Sequence, residues 1–275
     1  MYASQLRVVR PMDSGRTSER IFLGVSALLF AASTAATVAL CSSMSATGGM
    51  PMPGGWAMSM AWMRMPGQTW PDAAASFLGM WVVMMLAMML PSLTPMLWRF
   101  RKAVTGAGET HVGRLTALAG GGYFLVWTMF GMVVYPLGIA LATVEMQQPE
   151  LARAVPMAVG MVVLIAGALQ FTAWKTRHLA CCRDLPCYGR TLTADASTAW
   201  RYGVRLGLHC GRCCAGLTAI LLAVGVMDLR MMAVVASAIT LERLAPAGKR
   251  VAPVIGAVAV GAGLFLIVRA AGLLQ

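Results

Sequence analysis

Long apolar runs limit this chain to one kind of architecture. Ile21–Leu40 extends for twenty residues without a charge. Ala73–Trp98, Leu115–Val144, Ala154–Trp174, Tyr202–Met227, the shorter Arg230–Leu244 and Val251–Val268 follow it. About 20 apolar residues in a helix cross the roughly 30 Å of membrane hydrocarbon. Lipid offers backbone N–H and C=O groups no partners, so the spanning segments must be helices that satisfy their own. Only 12% of residues are charged and 59% are hydrophobic, where soluble domains carry about a quarter charged. The expected fold is all-α: a polytopic transmembrane helix bundle of about seven spans in contact with the lipid bilayer.

The net charge of +12 raises the question of nucleic acid, and the placement of the charges answers it. Arg7, Arg10, Arg16 and Arg20 precede the first span, and Arg99, Arg101, Lys102 and Arg114 separate the second from the third. Lys175, Arg177, Arg183, Arg190 and Arg201 lie between the fourth and fifth, and Arg243, Lys249 and Arg250 between the sixth and seventh. The intervening loops hold little more than Arg64, Arg153 and Arg230. This alternation follows the positive-inside rule. It predicts a bacterial inner-membrane protein with a cytoplasmic N-terminus, a periplasmic C-terminus and no nucleic-acid partner. At twenty residues the first run exceeds the usual apolar stretch of a secretory signal, about 7–15 residues, and is expected to stay as an anchor.

The chain divides accordingly into a basic leader (1–20), a first transmembrane helix (21–40), an outer loop rich in Met and Trp (41–72) and a six-helix membrane domain (73–275). Pro91 and Pro95 are expected to kink or unwind the inner end of the second span.

Methionine and cysteine carry the chemistry. There are 23 methionines and seven cysteines. In the second span, Met84/Met88 and Met85/Met89 are i, i+4 pairs that set two thioether rows side by side, with Met96 two turns on. In the fifth span, Cys210 is followed by Cys213 and Cys214 at i+3 and i+4, so the three thiols share a face. Arg212 among them is unusual at that depth. Beyond the fourth span, His178 and Cys182 are i, i+4, and Glu242 near the inner end of the sixth span is an intramembrane carboxylate. Clustered thiols on the reducing side of a membrane are more often metal ligands or redox groups than disulfides. Thioether and thiolate donors favour Cu(I); zinc also accepts Cys and His but rarely Met. Each feature has a plainer counterpart: Met as core filler, buried Cys as small hydrophobes, and Glu242 in an ion pair with Arg243 or Arg183. In the outer loop Met44, Met50, Met52, Met58, Met60, Met63 and Met65 stand among Trp56 and Trp62. They suit either Cu(I) capture or an interfacial belt.

The order of these elements over residues 73–250 resembles the domain-of-unknown-function 2182 family, described as predicted metal-binding integral membrane proteins. The residues concerned are Trp81, Met84, Ala87, Met88, Met89, Pro91, Pro95 and Met96, then Gln170, Lys175, Cys182 and Arg183. Gly207, Cys210, Cys213, Cys214, Gly225, Met227, Glu242, Leu244 and Gly248 complete the set. Two positions depart from the family pattern: His178 stands where the family has a cysteine, and the family's Cys-x-Gly-Cys-Cys reads Cys-Gly-Arg-Cys-Cys. The resemblance implies metal binding without an activity.

The leading expectation is a protein that binds, relays or stores Cu(I) through Met84, Met85, Met88, Met89, Met96, His178, Cys182, Cys210, Cys213, Cys214 and Glu242 in the cytoplasmic half of the bundle. A metallochaperone or other membrane-protein subunits would be its partners. The alternatives are a non-catalytic subunit or assembly factor of a membrane oxidase or oxygenase complex and, third, a membrane thiol oxidoreductase. With three histidines, no nucleophile elbow and no phosphate loop, hydrolase and ATP-driven pump chemistry find no support.

Overall fold

The computed structural model describes residues 12–46, 48–64, 67–106, 111–183, 195–245 and 248–272. Among them, eight helices account for nearly all regular structure: α1 (Met12–Ala46), α2 (Trp70–Gly106), α3 (Val112–Gln147), α4 (Pro149–Leu169), α5 (Ala173–Arg183), α6 (Ala196–Val224), α7 (Leu229–Leu244) and α8 (Gly248–Ala270). Six of them, all but α5 and α7, are long and apolar enough to cross a membrane. Large apolar side chains project outward from their middles, among them Leu28 at 71% exposure, Val258 at 68% and Leu141 at 62%. So much exposed apolar surface is stable against hydrocarbon and not against water. This is an all-α polytopic membrane bundle.

Glycines set the two closest helix seams, as small residues do where helices pack in lipid. Gly203 of α6 lies against the Ala119 backbone of α3, and a Cβ at Gly207 would stand 2.9 Å from the Tyr123 carbonyl, so α3 and α6 rise together. On the other side, Gly160 of α4 meets Gly263 and Ile267 of α8, and Gly167 meets Gly256 and Val260, so that pair runs antiparallel.

The short α7 supplies the missing crossing. At 16 residues it is about 24 Å long. Just before it, the Met227 sulfur lies 4.0 Å from the Cys41 thiol near the far end of α1. Near its close, Glu242 reaches Lys175 at the opposite end of the bundle. The antiparallel α4–α8 seam requires the same crossing, so the described helices traverse the bundle seven times. Gly225, at a φ of 148°, ends α6. The Asp228 carboxylate then accepts from the backbone N–H of Arg230 (2.8 Å) and Met231 (3.1 Å) to start α7.

Several boundaries depart from the sequence expectation. α1 begins at Met12, taking residues 12–20 of the basic leader into the helix; residues 1–11 lie outside the described part. α2 does not unwind at its prolines but runs without a break from Trp70 to Gly106. The Thr94 hydroxyl donates to the Leu90 carbonyl at 2.8 Å and Ser92 to that of Met89 at 3.1 Å. The outer loop forms a small antiparallel hairpin, β1 (Met50–Met52) with β2 (Trp56–Met58), pairing Met50 with Met58. It is fastened to α4 by the Trp56 indole, which donates to the Ala152 carbonyl at 2.8 Å.

Candidate metal centre

The glycine seam between α3 and α6 fixes the centre. Because Gly203 and Gly207 let the two backbones close up, Tyr123 of α3 reaches the next turn of α6 and donates its hydroxyl to the Cys210 sulfur at 2.9 Å. Cys210 is fully buried, its Sγ 3.9 Å from that of Cys214 and 4.0 Å from the Met89 sulfur of α2. Cys213, next to Cys214, is buried as well, at 1% exposure. α2 is held in place partly by Trp81, whose indole donates to the Trp127 carbonyl of α3 at 2.8 Å. Two thiols and a thioether from two helices thus meet, with a phenol over one thiol. All are at most 1% exposed.

A second buried polar group lies against the other side of α6. Lys175, 3% exposed, extends from the start of α5 and donates to the Cys213 carbonyl at 2.8 Å and to Glu242 Oε2 at 2.6 Å. Gln170, just after α4, is likewise buried at 3% exposure. One residue on, Arg243 is 3% exposed and donates from Nη1 to the Ser92 hydroxyl at 3.0 Å. Ser92 passes the connection to the Met89 carbonyl. Charged groups this deep are stable only when paired and hydrogen-bonded.

Of the residues singled out from the sequence, the structure brings together Cys210, Cys213, Cys214 and Met89. Met84, Met85, Met88 and Met96 are buried in the same apolar core, none more than 4% exposed. Met85 continues the Met89 row one turn away. Glu242 directs its carboxylate to Lys175. The half-buried His178 ring lies tilted against Trp174, 4.5 Å between centroids, and its Nδ1 meets the Trp174 carbonyl at 2.8 Å. The side chain of Cys182 lies outside the described residues, as do Met65 and Cys187. Among the described residues no three His, Cys, Asp or Glu side chains are grouped as a metal site. The donor set here is the softer one that includes a methionine. Among the described residues Cys41, Cys210, Cys213 and Cys214 form no disulfide.

Tyr123, Ser92 and the Lys175 partner of Glu242 were not found from the sequence. Lys175 had a signal, a charged residue close to an apolar span. A lone tyrosine and a lone serine inside long apolar runs had none.

Helices facing lipid around a dry cluster of sulfur donors define an integral membrane protein with a candidate soft-metal centre. Residues 78–266 match the PpoB2 family, described as a copper chaperone, and the chain belongs to that family. The motifs resemble the domain-of-unknown-function 2182 family over nearly the same stretch; the family that matches is PpoB2, and its copper chaperone description agrees with the metal binding that the resemblance implies. No curated protein and no solved structure matches the chain.

Proposed function

We propose that this protein receives Cu(I) as cargo on Cys210, Cys214 and Met89 within the membrane and relays it to an acceptor. Cys213 serves as a further thiol on the route. One observation carries the reading: the sulfurs of Cys210, Cys214 and Met89 are separated by 3.9 and 4.0 Å along the group. Three sulfurs around a single ion at a metal–sulfur distance of about 2.3 Å stand about 4.0 Å apart. Soft, mixed thiolate and thioether donors in a dry site favour Cu(I) over harder divalent ions, and zinc, which rarely uses Met, fits less well. The copper chaperone description of the family agrees with cargo that is handed on. In this reading the basic loops face the cytoplasm of a bacterium. The recipient is a metallochaperone or a membrane oxidase or oxygenase subunit, which also absorbs the assembly-factor alternative.

The test is the copper content of detergent-purified protein after loading with Cu(I) under reducing conditions, wild type beside a Cys210→Ser/Cys214→Ser variant. Near-stoichiometric copper in the wild type and almost none in the variant is the expected outcome. Equal copper in both would remove these thiols from the site.

A further inference from the structure

The fixed charges around the sulfur cluster carry an inference that rests on the proposed Cu(I) site and goes beyond it. On the α5 side, Lys175 and Glu242 stand 2.6 Å apart and cancel. On the α2 side, Arg243 of α7 is buried in the apolar core at 3% exposure and anchored by Ser92. The Ser92 hydroxyl in turn binds the carbonyl of Met89, the residue whose sulfur meets Cys210. This hydrogen-bond chain places the guanidinium beside the turn of α2 that carries the Met89 thioether to Cys210.

We propose that Arg243 is the specificity-determining charge of this centre, matching it to a monovalent soft cation. Two thiolates and one Cu(I) leave a net charge of minus one, and the Arg243 guanidinium brings the buried group to zero. The same two thiolates with a divalent ion are already neutral, so Arg243 would leave an excess positive charge in a medium where charges are weakly screened. Cu(I) and its electronic relative Ag(I) satisfy the balance; Zn(II) and Cd(II) do not. Arginine suits this position because it stays charged when buried, where a lysine sheds its proton more readily. Its fork allows one N–H to hold Ser92 while the charge stays delocalised over the whole group. Arg243 is a positioning and charge-matching residue, not a ligand.

The experiment measures Cu(I) and Cd(II) affinities of the full-length protein in detergent, each by competition with a chelator of known strength. Wild type is compared with Arg243→Gln, Arg243→Lys and Ser92→Ala. Arg243→Gln is expected to weaken Cu(I) about tenfold or more while Cd(II) affinity holds or rises. Arg243→Lys, whose amine sheds its proton more readily when buried, is expected to fall between the wild type and Arg243→Gln in its Cu(I) to Cd(II) preference. Ser92→Ala is a small change that keeps the charge but frees its anchor. It is expected to lower the same preference, and it tests the claim even if Arg243→Gln does not fold. A Cu(I) to Cd(II) preference unchanged in both Arg243→Gln and Ser92→Ala would overturn the assignment, as would Cu(I) and Cd(II) weakening by the same factor. Either result leaves the Cu(I) site standing. A wild-type protein that takes up no Cu(I) would overturn the site and this inference together.

Discussion

Replacing Cys210 with alanine is expected to weaken Cu(I) binding by more than roughly a hundredfold, beyond the usual effect of losing a mere supporting residue. Cys210 is the hub of the cluster: it touches Cys214, Met89 and the Tyr123 hydroxyl. Its loss leaves a thiol and a thioether with nothing between them. Met89→Leu keeps the volume and removes one soft, uncharged donor, so the expected loss is smaller, about tenfold. Met96→Leu is the control. That side chain is equally buried, but two turns along α2 from Met89, and its exchange is expected to leave affinity unchanged. A chelator competition on the three variants checks the order. Met96→Leu matching Cys210→Ala would mean that methionine burial, not the sulfur cluster, governs copper uptake.

The second large effect concerns stability. Lys175→Met is expected to destabilise the bundle by about 3–5 kcal/mol, because it strands the Glu242 carboxylate in an apolar interior. Lys175 also holds the Cys213 carbonyl, so α5, α6 and α7 all lose a tie at one point. Adding Glu242→Leu to Lys175→Met is expected to recover most of the loss, since replacing a whole buried pair with apolar groups is often neutral or stabilising. Thermal unfolding in detergent reads this directly. A double variant no better than Lys175→Met would show that Glu242 has a role beyond balancing Lys175.

The seven crossings were legible because lipid enforces a simple rule of about 20 apolar residues for each helix and basic residues on one side. The rule fails at helix ends outside the hydrocarbon, which explains why α2 continues to Gly106 and α1 starts at Met12. Pro91 and Pro95 were misleading for another reason. The helix runs through both positions without a break, so a membrane helix tolerates prolines that a rule drawn from soluble helices treats as breaks. In the site, the i, i+3 and i, i+4 spacing brought Cys210, Cys213 and Cys214 to one face without knowledge of any neighbour. Which methionine of the two rows meets them depends on the rotation of α2 against α6. That rotation is set by contacts such as Trp81 on Trp127 and Gly203 on Ala119, and it selects Met89. Glu242 was recognised as an exceptional carboxylate, but its partner sits 67 residues away in sequence on another helix. His178 follows the helical spacing to Cys182, yet its ring turns back onto Trp174.

X-ray absorption at the copper edge of the Cu(I)-loaded wild-type protein tests the central claim most directly. A first shell made only of sulfur, three atoms at about 2.3 Å, and disrupted in the Cys210→Ser/Cys214→Ser variant, is the predicted result. A shell of nitrogen or oxygen donors, or a sulfur shell that survives the double exchange, would contradict it.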